Sequence, residues 1–183
     1  MDNGASSYRR YLDGDESAFR DVVEDYFDNL LFFVNRYVNN VAVAEDIALD
    51  VFTQLVVHKY RYNFRTSFKT YLFMMGRSRA LDYIRRRDRI KLVELSEASQ
   101  HPSEEPAPED ILLADQRKQA INNALGQLPD ELRLVLHLVY FEELSIDETA
   151  KVLKKSKKQI YNLLYRGKAA LRTVLGEEGK LLL

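Results

Sequence analysis

Two carboxylates one helical turn apart, Asp46 and Asp50, come nearest to a catalytic pair in this 183-residue chain. Paired carboxylates can divide general acid and base work between them. No histidine, lysine or metal-ligand set accompanies this pair, so it reads as a surface, or as an interface for a basic partner helix. There is no cysteine, and His58, His101 and His137 are scattered. Gly-rich phosphate loops and nucleophile–base pairs are likewise missing from the sequence. No catalysis, metal or cofactor is therefore expected. What the chain does concentrate is cations beside aromatic rings, which is binding chemistry.

One such concentration is Ser145 to Arg172, SIDETAKVLKKSKKQIYNLLYRGKAALR. Ser145 followed by Glu148, and Ser156 followed by Gln159, are capping-box pairs that each start a helix. Ile146, Ala150 and Leu153 share one face of the first helix. Ile160, Leu163, Leu164, Leu171, Val174 and Leu175 make the apolar stripe of the second. Only Lys154 and Lys155 are left for the turn. Opposite the second stripe stand Lys158, Asn162, Tyr165 and Arg166, flanked by Lys157, Tyr161 and Lys168. A helical hairpin with a solvated lysine face would look like this. A helix–turn–helix whose second helix enters a major groove fits better, because its first turn, from Ser156, offers only hydroxyl, cations and amide to phosphates and base edges.

The second concentration is Tyr60 to Lys69, YRYNFRTSFK, followed by a helical pattern ending in Arg85, Arg86, Arg87, Asp88 and Arg89. The rings could be buried and the charges solvated. Equally, unpaired bases stack on rings while phosphates sit on cations, which is how single strands are held. Basic residues also favour a helix C-terminus, but seven cations between Arg77 and Lys91 exceed what capping needs.

The elements that must position these residues are all helical. Residues 1–16 are polar, with turn signals at Asn3-Gly4 and Asp13-Gly14, and read as a loose start before a helix that begins near Asp15 or Ser17. That helix carries Phe19, Val22, Val23, Tyr26, Phe27, Leu30, Leu31, Val34 and Tyr37 and closes at Asn39-Asn40. From Val43 to about His58 a second helix turns Ala44, Ile47, Val51, Phe52 and Leu55 inward. Its other faces carry Asp46, Leu49, Asp50, Thr53 and Gln54. Pro102, Pro106 and Pro108 then mark an acidic linker. Further helices follow over Ile111–Gln127 and from Pro129, where Leu132, Val135, Leu136, Val139 and Tyr140 keep helical spacing. The formal net charge of −1 conceals strong alternation: −7 over residues 1–57, +9 over 58–91, −7 over 92–116 and +4 over 117–183. Two basic modules flanking an acidic connector suit two separate nucleic-acid contacts. The expected fold is all-α: two small helical domains, 1–91 and 117–183, joined by the linker 92–116. Neither a signal peptide nor a membrane-spanning run is legible, so a cytoplasmic protein is expected.

Taken in order, these residues resemble bacterial RNA polymerase sigma factors of the extracytoplasmic-function type, the small two-domain group. Gly14 to Phe19, GDESAF, is similar to the family's opening motif. Ala44 to Phe52, AEDIALDVF, resembles its polymerase-gripping helix, and Phe68 to Arg87 its promoter-melting helix. Leu128-Pro129 with Tyr140 to Ser145, YFEELS, resembles its fourth region. The resemblance implies a non-enzymatic initiation factor whose partners are core RNA polymerase, promoter DNA and, in many members, an anti-sigma factor. It implies that Asp46, Leu49, Asp50, Thr53 and Gln54 meet polymerase. Tyr60, Arg61, Tyr62, Phe64, Arg65, Arg77, Ser78, Arg85, Arg86 and Arg87 would meet the minus-ten side, and Ser156, Lys157, Lys158, Tyr161, Asn162 and Arg166 the minus-thirty-five element. The chain departs from the usual pattern in carrying Leu49 for Gln, Ser78 for Asn, Leu163 for Arg and Lys154 for Gly. The alternative is a stand-alone helix–turn–helix regulator, which would have no use for the acidic, leucine-bearing face around Leu49.

Overall fold

Residues 3–97 and 123–175 are described by the structure, a computed structural model, and no strand occurs among them. The chain divides into two units, Met1–Glu109 and Asp110–Leu183, each with its own core. In the first unit α1 spans Asn3–Leu12, α2 Glu16–Val38, α3 Val41–Val57 and α4 Phe68–Glu97.

The presence of α1 corrects the expectation of a loose start over 1–16. Its Asn3-Gly4 pair, read as a turn, is part of the helix because Gly4 lies directly against Tyr26. A Cβ on Gly4 would sit 2.5 Å from the Tyr26 hydroxyl, so the glycine serves close approach. Tyr8 of the same helix is fully buried. Only Asp13-Gly14 makes the turn, with Gly14 at φ 105°.

The α2–α3 corner follows from local chemistry. Asn39 ends α2 in the left-handed region at φ 53°, and the Asn40 side chain then accepts the Val43 N–H to start α3. Val22, Leu30, Phe33 and Val34 of α2 meet Ala44, Ile47, Ala48, Val51 and Phe52 of α3 and Phe68, Leu72 and Phe73 of α4 in one core. At Gly76 the α2–α4 packing is closest, since an added Cβ would come 2.7 Å from Leu30 Cδ1. Helix α4 runs on to Glu97, past the boundary expected at residue 91. The rest of the expected linker, 98–116, and most of the Ile111–Gln127 helix lie outside the described residues; 123–126 are helical.

In the second unit α5 (Asp130–Leu136) follows Pro129 and continues into a π turn at His137–Phe141. The Glu142 N–H reaches back to the His137 carbonyl at 3.1 Å, and Leu144 N–H to Leu138 O at 2.9 Å. A π turn takes in one extra residue and advances the phase of the helix. Leu138 is therefore buried, while Tyr140, expected inward, and Phe141 face outward. The buried His137 Nε2 and Glu142 Oε1 lie 3.2 Å apart at this turn.

Helices α6 (Ile146–Leu153) and α7 (Lys157–Leu175) make the helix–turn–helix. Both capping boxes form. The Ser145 N–H donates to Glu148 Oε2 at 3.0 Å and the Glu148 N–H to Ser145 Oγ at 3.3 Å; Ser156 and Gln159 exchange the same bonds at 2.8 and 3.3 Å. The buried face of α6 is Thr149, Val152 and Leu153, with Ile146 and Ala150 only half-buried. Gly167 lets α7 approach α5, where a Cβ would meet Leu136 Cδ1 at 3.1 Å.

Lys154 closes α6 in the left-handed region, φ 52° and ψ 47°. The Lys155 N–H bonds Ala150 O at 3.0 Å and the Lys154 N–H bonds Lys151 O at 3.3 Å, a Schellman closure. An L side chain there costs about 1–2 kcal/mol, and the Lys154 side chain is exposed. Lys154→Gly is expected to raise the unfolding free energy by about 1 kcal/mol, measured by urea denaturation; a loss of stability would contradict the strained-turn account.

Candidate nucleic-acid interface

Three surfaces carry the residues singled out from the sequence. On α3, Asp46, Leu49 and Thr53 are exposed and Gln54 is half-buried. Leu49 is 50% exposed, large for an apolar side chain on a packed helix. The Thr53 hydroxyl donates to Leu49 O at 2.8 Å. Asp50 is half-buried and paired with Arg79 of α4 at 3.1 Å. Val56 and Val57 are also exposed. Sequence reasoning passed over both, although in the run Leu55-Val56-Val57 only Leu55 falls on the inward phase of α3.

The second surface joins the 58–67 loop to α4. Here the alternation of rings and cations resolves into two layers. Tyr60 is 73% exposed, with Lys59 Nζ 5.2 Å from its ring centre, and Arg61, Asn63 and Arg65 are exposed around it. Tyr62 is the correction: at 3% exposure it packs edge-on to Tyr8 and Phe68 and stacks on Tyr71, and it offers no face to a base. Its hydroxyl donates to the Thr66 carbonyl at 2.7 Å. Phe64, in the left-handed region at φ 60°, is also partly committed: Tyr62 packs on it and the Arg9 guanidinium sits 4.7 Å from its ring centre. The Asn63 side chain accepts the Arg65 N–H at 3.1 Å, an Asx turn that no periodicity could reveal.

On α4, Ser78, Arg85 and Arg86 are exposed and Arg87 is half-buried. Arg85 pairs with Asp82 at 2.5 Å and Arg87 with Asp88 at 3.3 Å, so part of the charge is answered within the helix. Arg86 carries no ion pair among the described residues. Arg77 is half-buried. Its guanidinium interacts with the Tyr37 hydroxyl, whose pKa burial pushes up to about 12 against the opposing pull of that cation. Arg77 thus turns partly into the α2–α4 packing. Arg79 lies on the same basic helix without having been singled out, and Arg89, part of the run read from the sequence, is exposed near its end.

The third surface is the outer face of α7. Lys158, Tyr161, Asn162 and Arg166 are all exposed, and Tyr165 is 79% exposed beside them. Ser156, exposed, spends its hydroxyl on the cap. Lys157 pairs with Asp147 of α6 at 2.6 Å, and the hydrogen bond it donates to that carboxylate raises its pKa. Leu163 is buried, so the departure from arginine at that position falls on the core side of the helix. Among the described residues no cluster could hold a metal ion, and no helix is long and apolar enough to cross a membrane.

Residues 22–90 match the family described as Sigma-70 region 2, and residues 118–171 match Sigma-70, region 4. The chain belongs to the sigma-70 family, in its extracytoplasmic-function group. The ECF RNA polymerase sigma factor SigW of Bacillus subtilis is 29% identical over 88% of this chain and 91% of its own length. The RNA polymerase sigma-H factor of Pseudomonas aeruginosa is 26% identical, covering 88% of each. In fold, the chain is similar to the sigma factor RpoE from Bartonella quintana, solved in complex with the anti-sigma factor NepR. That likeness has a TM-score of 0.65 at 18% identity and covers 86% of this chain and 96% of that one. This sigma factor is a transcription initiation factor that binds core RNA polymerase and directs it to promoter DNA; it acts by binding, not as an enzyme.

The two tyrosines of the loop separate packing from presentation. Tyr62→Ala is expected to lower the unfolding free energy by about 3 kcal/mol or more. Tyr60→Ala should change it by no more than about 0.5 kcal/mol. Parallel urea titrations check both, and equal losses would refute the two-layer description.

Proposed function

We propose that the two basic surfaces divide the promoter between them. Residues 1–91 hold polymerase through the α3 face of Asp46, Leu49, Asp50, Thr53 and Gln54, with Val56 and Val57 extending it. They present Tyr60, Arg61, Arg65, Ser78 and Arg86 to the minus-ten element as it opens. Residues 92–116 connect, and residues 117–183 read the minus-thirty-five element in the major groove with Lys158, Tyr161, Asn162 and Arg166. Cations on phosphates set the register, base-edge contacts from α7 specify, and the exposed ring of Tyr60 stacks on unpaired bases.

One observation carries the reading: two separately folded units each turn a cation-and-tyrosine face outward while packing their apolar stripes. A stand-alone regulator is disfavoured by the exposed apolar side chains Leu49, Val56 and Val57, which duplex binding does not use. The same α3 face suits an anti-sigma factor that competes with polymerase, the kind of partner with which the Bartonella relative was solved. A chain that works with core polymerase acts in the cytoplasm.

Promoter-dependent run-off transcription with cognate core polymerase is expected to require this chain, and absence of initiation on every genomic promoter tried would overturn the assignment. Arg86→Ala should weaken promoter binding across sequences and reduce the slope of log affinity against log salt by about one. An unchanged slope would remove Arg86 from the phosphate contacts.

A further inference from the structure

The 58–67 loop has neither strand nor helix of its own, yet it must hold Tyr60, Arg61 and Arg65 outward in a fixed arrangement. What it is moulded on is α1, residues 3–12, which lies ahead of the residues matched to region 2. The fully buried Tyr8 places its hydroxyl 3.0 Å from the Leu55 carbonyl and 2.9 Å from the Lys59 carbonyl. One phenolic proton is thus shared between the last turn of α3 and the first residues of the loop. The Tyr8 ring supports Tyr62 edge-on at 5.8 Å, and the Tyr62 hydroxyl in turn ties Thr66 near the loop's exit at 2.7 Å. On the neighbouring position of α1, Arg9 covers the ring of Phe64, the residue held at φ 60° in the middle of the loop. Burial raises the pKa of the Tyr8 phenol, whose neutral form is the donor to both carbonyls.

The geometry points to Tyr8 as a positioning residue for strand capture, with Arg9 as its auxiliary: α1 is the template that sets the loop so that Tyr60 and the flanking arginines face the unpaired strand. The inference rests on the reading of this loop as the strand-contacting element. Neither residue touches DNA in this scheme. Tyr8 acts through the Leu55 and Lys59 carbonyls and the Tyr62 ring, and Arg9 through Phe64.

The test uses the full chain assembled with core polymerase and two promoter probes of one sequence, a fork with an unpaired minus-ten strand and a full duplex. Tyr8→Phe keeps the ring and removes the proton that joins the two carbonyls. Fork affinity is expected to fall about tenfold, the effect of one lost buried hydrogen bond, with core polymerase affinity and duplex affinity held. Trypsin should also cut faster after Arg61 and Arg65 in the free variant. Wild-type fork affinity in Tyr8→Phe overturns the proposal, and so does a parallel loss of fork, duplex and polymerase binding, which marks a merely structural role. If the unmodified chain does not prefer fork to duplex, the strand-capture reading itself falls, whatever Tyr8→Phe does. Arg9→Gln, on the exposed side of α1, covers the case in which Tyr8→Phe does not fold. It should lower fork affinity several-fold and leave the salt slope unchanged; an unaltered affinity, or a slope lowered by one, refutes the auxiliary role.

Discussion

The ring of Tyr62 is enclosed by Tyr8, Phe68 and Tyr71 while its hydroxyl closes on the Thr66 carbonyl, so a loop almost without regular structure is anchored by one buried side chain. Ordering such a loop costs backbone entropy at each residue, and hydrogen bonds in water return little of it. Aromatic burial supplies the difference, because each ring removes a large apolar area from water and adds edge and stacking contacts. The outward set of Tyr60, Arg61 and Arg65 is the complement of this inward one. The basic surface of the first unit thus depends on a cluster that never meets DNA.

Electrostatics do the aiming more than the stabilising. Arg79 with Asp50, Arg85 with Asp82, Lys157 with Asp147 and Lys155 with Glu131 are all at least partly exposed, and pairs of that kind contribute little to folding. What they do is restrict long side chains to one region of the surface. In α7 the Lys157–Asp147 contact also offsets a cation in the first turn, where the helix dipole disfavours positive charge. Lys158 and Arg166 have no such partners among the described residues and face outward, open to a polyanion.

Much of this was legible in advance where the cause is local. The capping boxes at Ser145 and Ser156, the Asn39-Asn40 corner and the inward face of α3 depend on residues three or four apart, and each formed where the spacing placed it; on α2 only Val22, Leu30 and Val34 of the expected stripe are fully buried, joined by Ala18, Phe33 and Val38. The all-helical fold followed from the same periodicity. Three features were not legible. Helix α1 was hidden because Asn3-Gly4 is a turn signal unless Tyr26 is known to lie against the glycine. The π turn at His137–Phe141 shifted the phase by a residue, which turned Tyr140 outward. Tyr62 was placed with the DNA contacts because its neighbours are, although its partner Tyr8 lies far away along the chain.

The division follows from the range of the forces. Composition, charge alternation and helical period determined on their own that this chain makes two helical units with two basic faces, and the order of its motifs carried the resemblance to sigma factors. Helices are legible because their side-chain directions repeat every 3.6 residues and their ends are closed by neighbours in sequence. A loop has no period, so which of Tyr60, Tyr62 and Phe64 faces outward was decided only when α1 and α4 packed against it, through contacts that close over more than forty residues of chain.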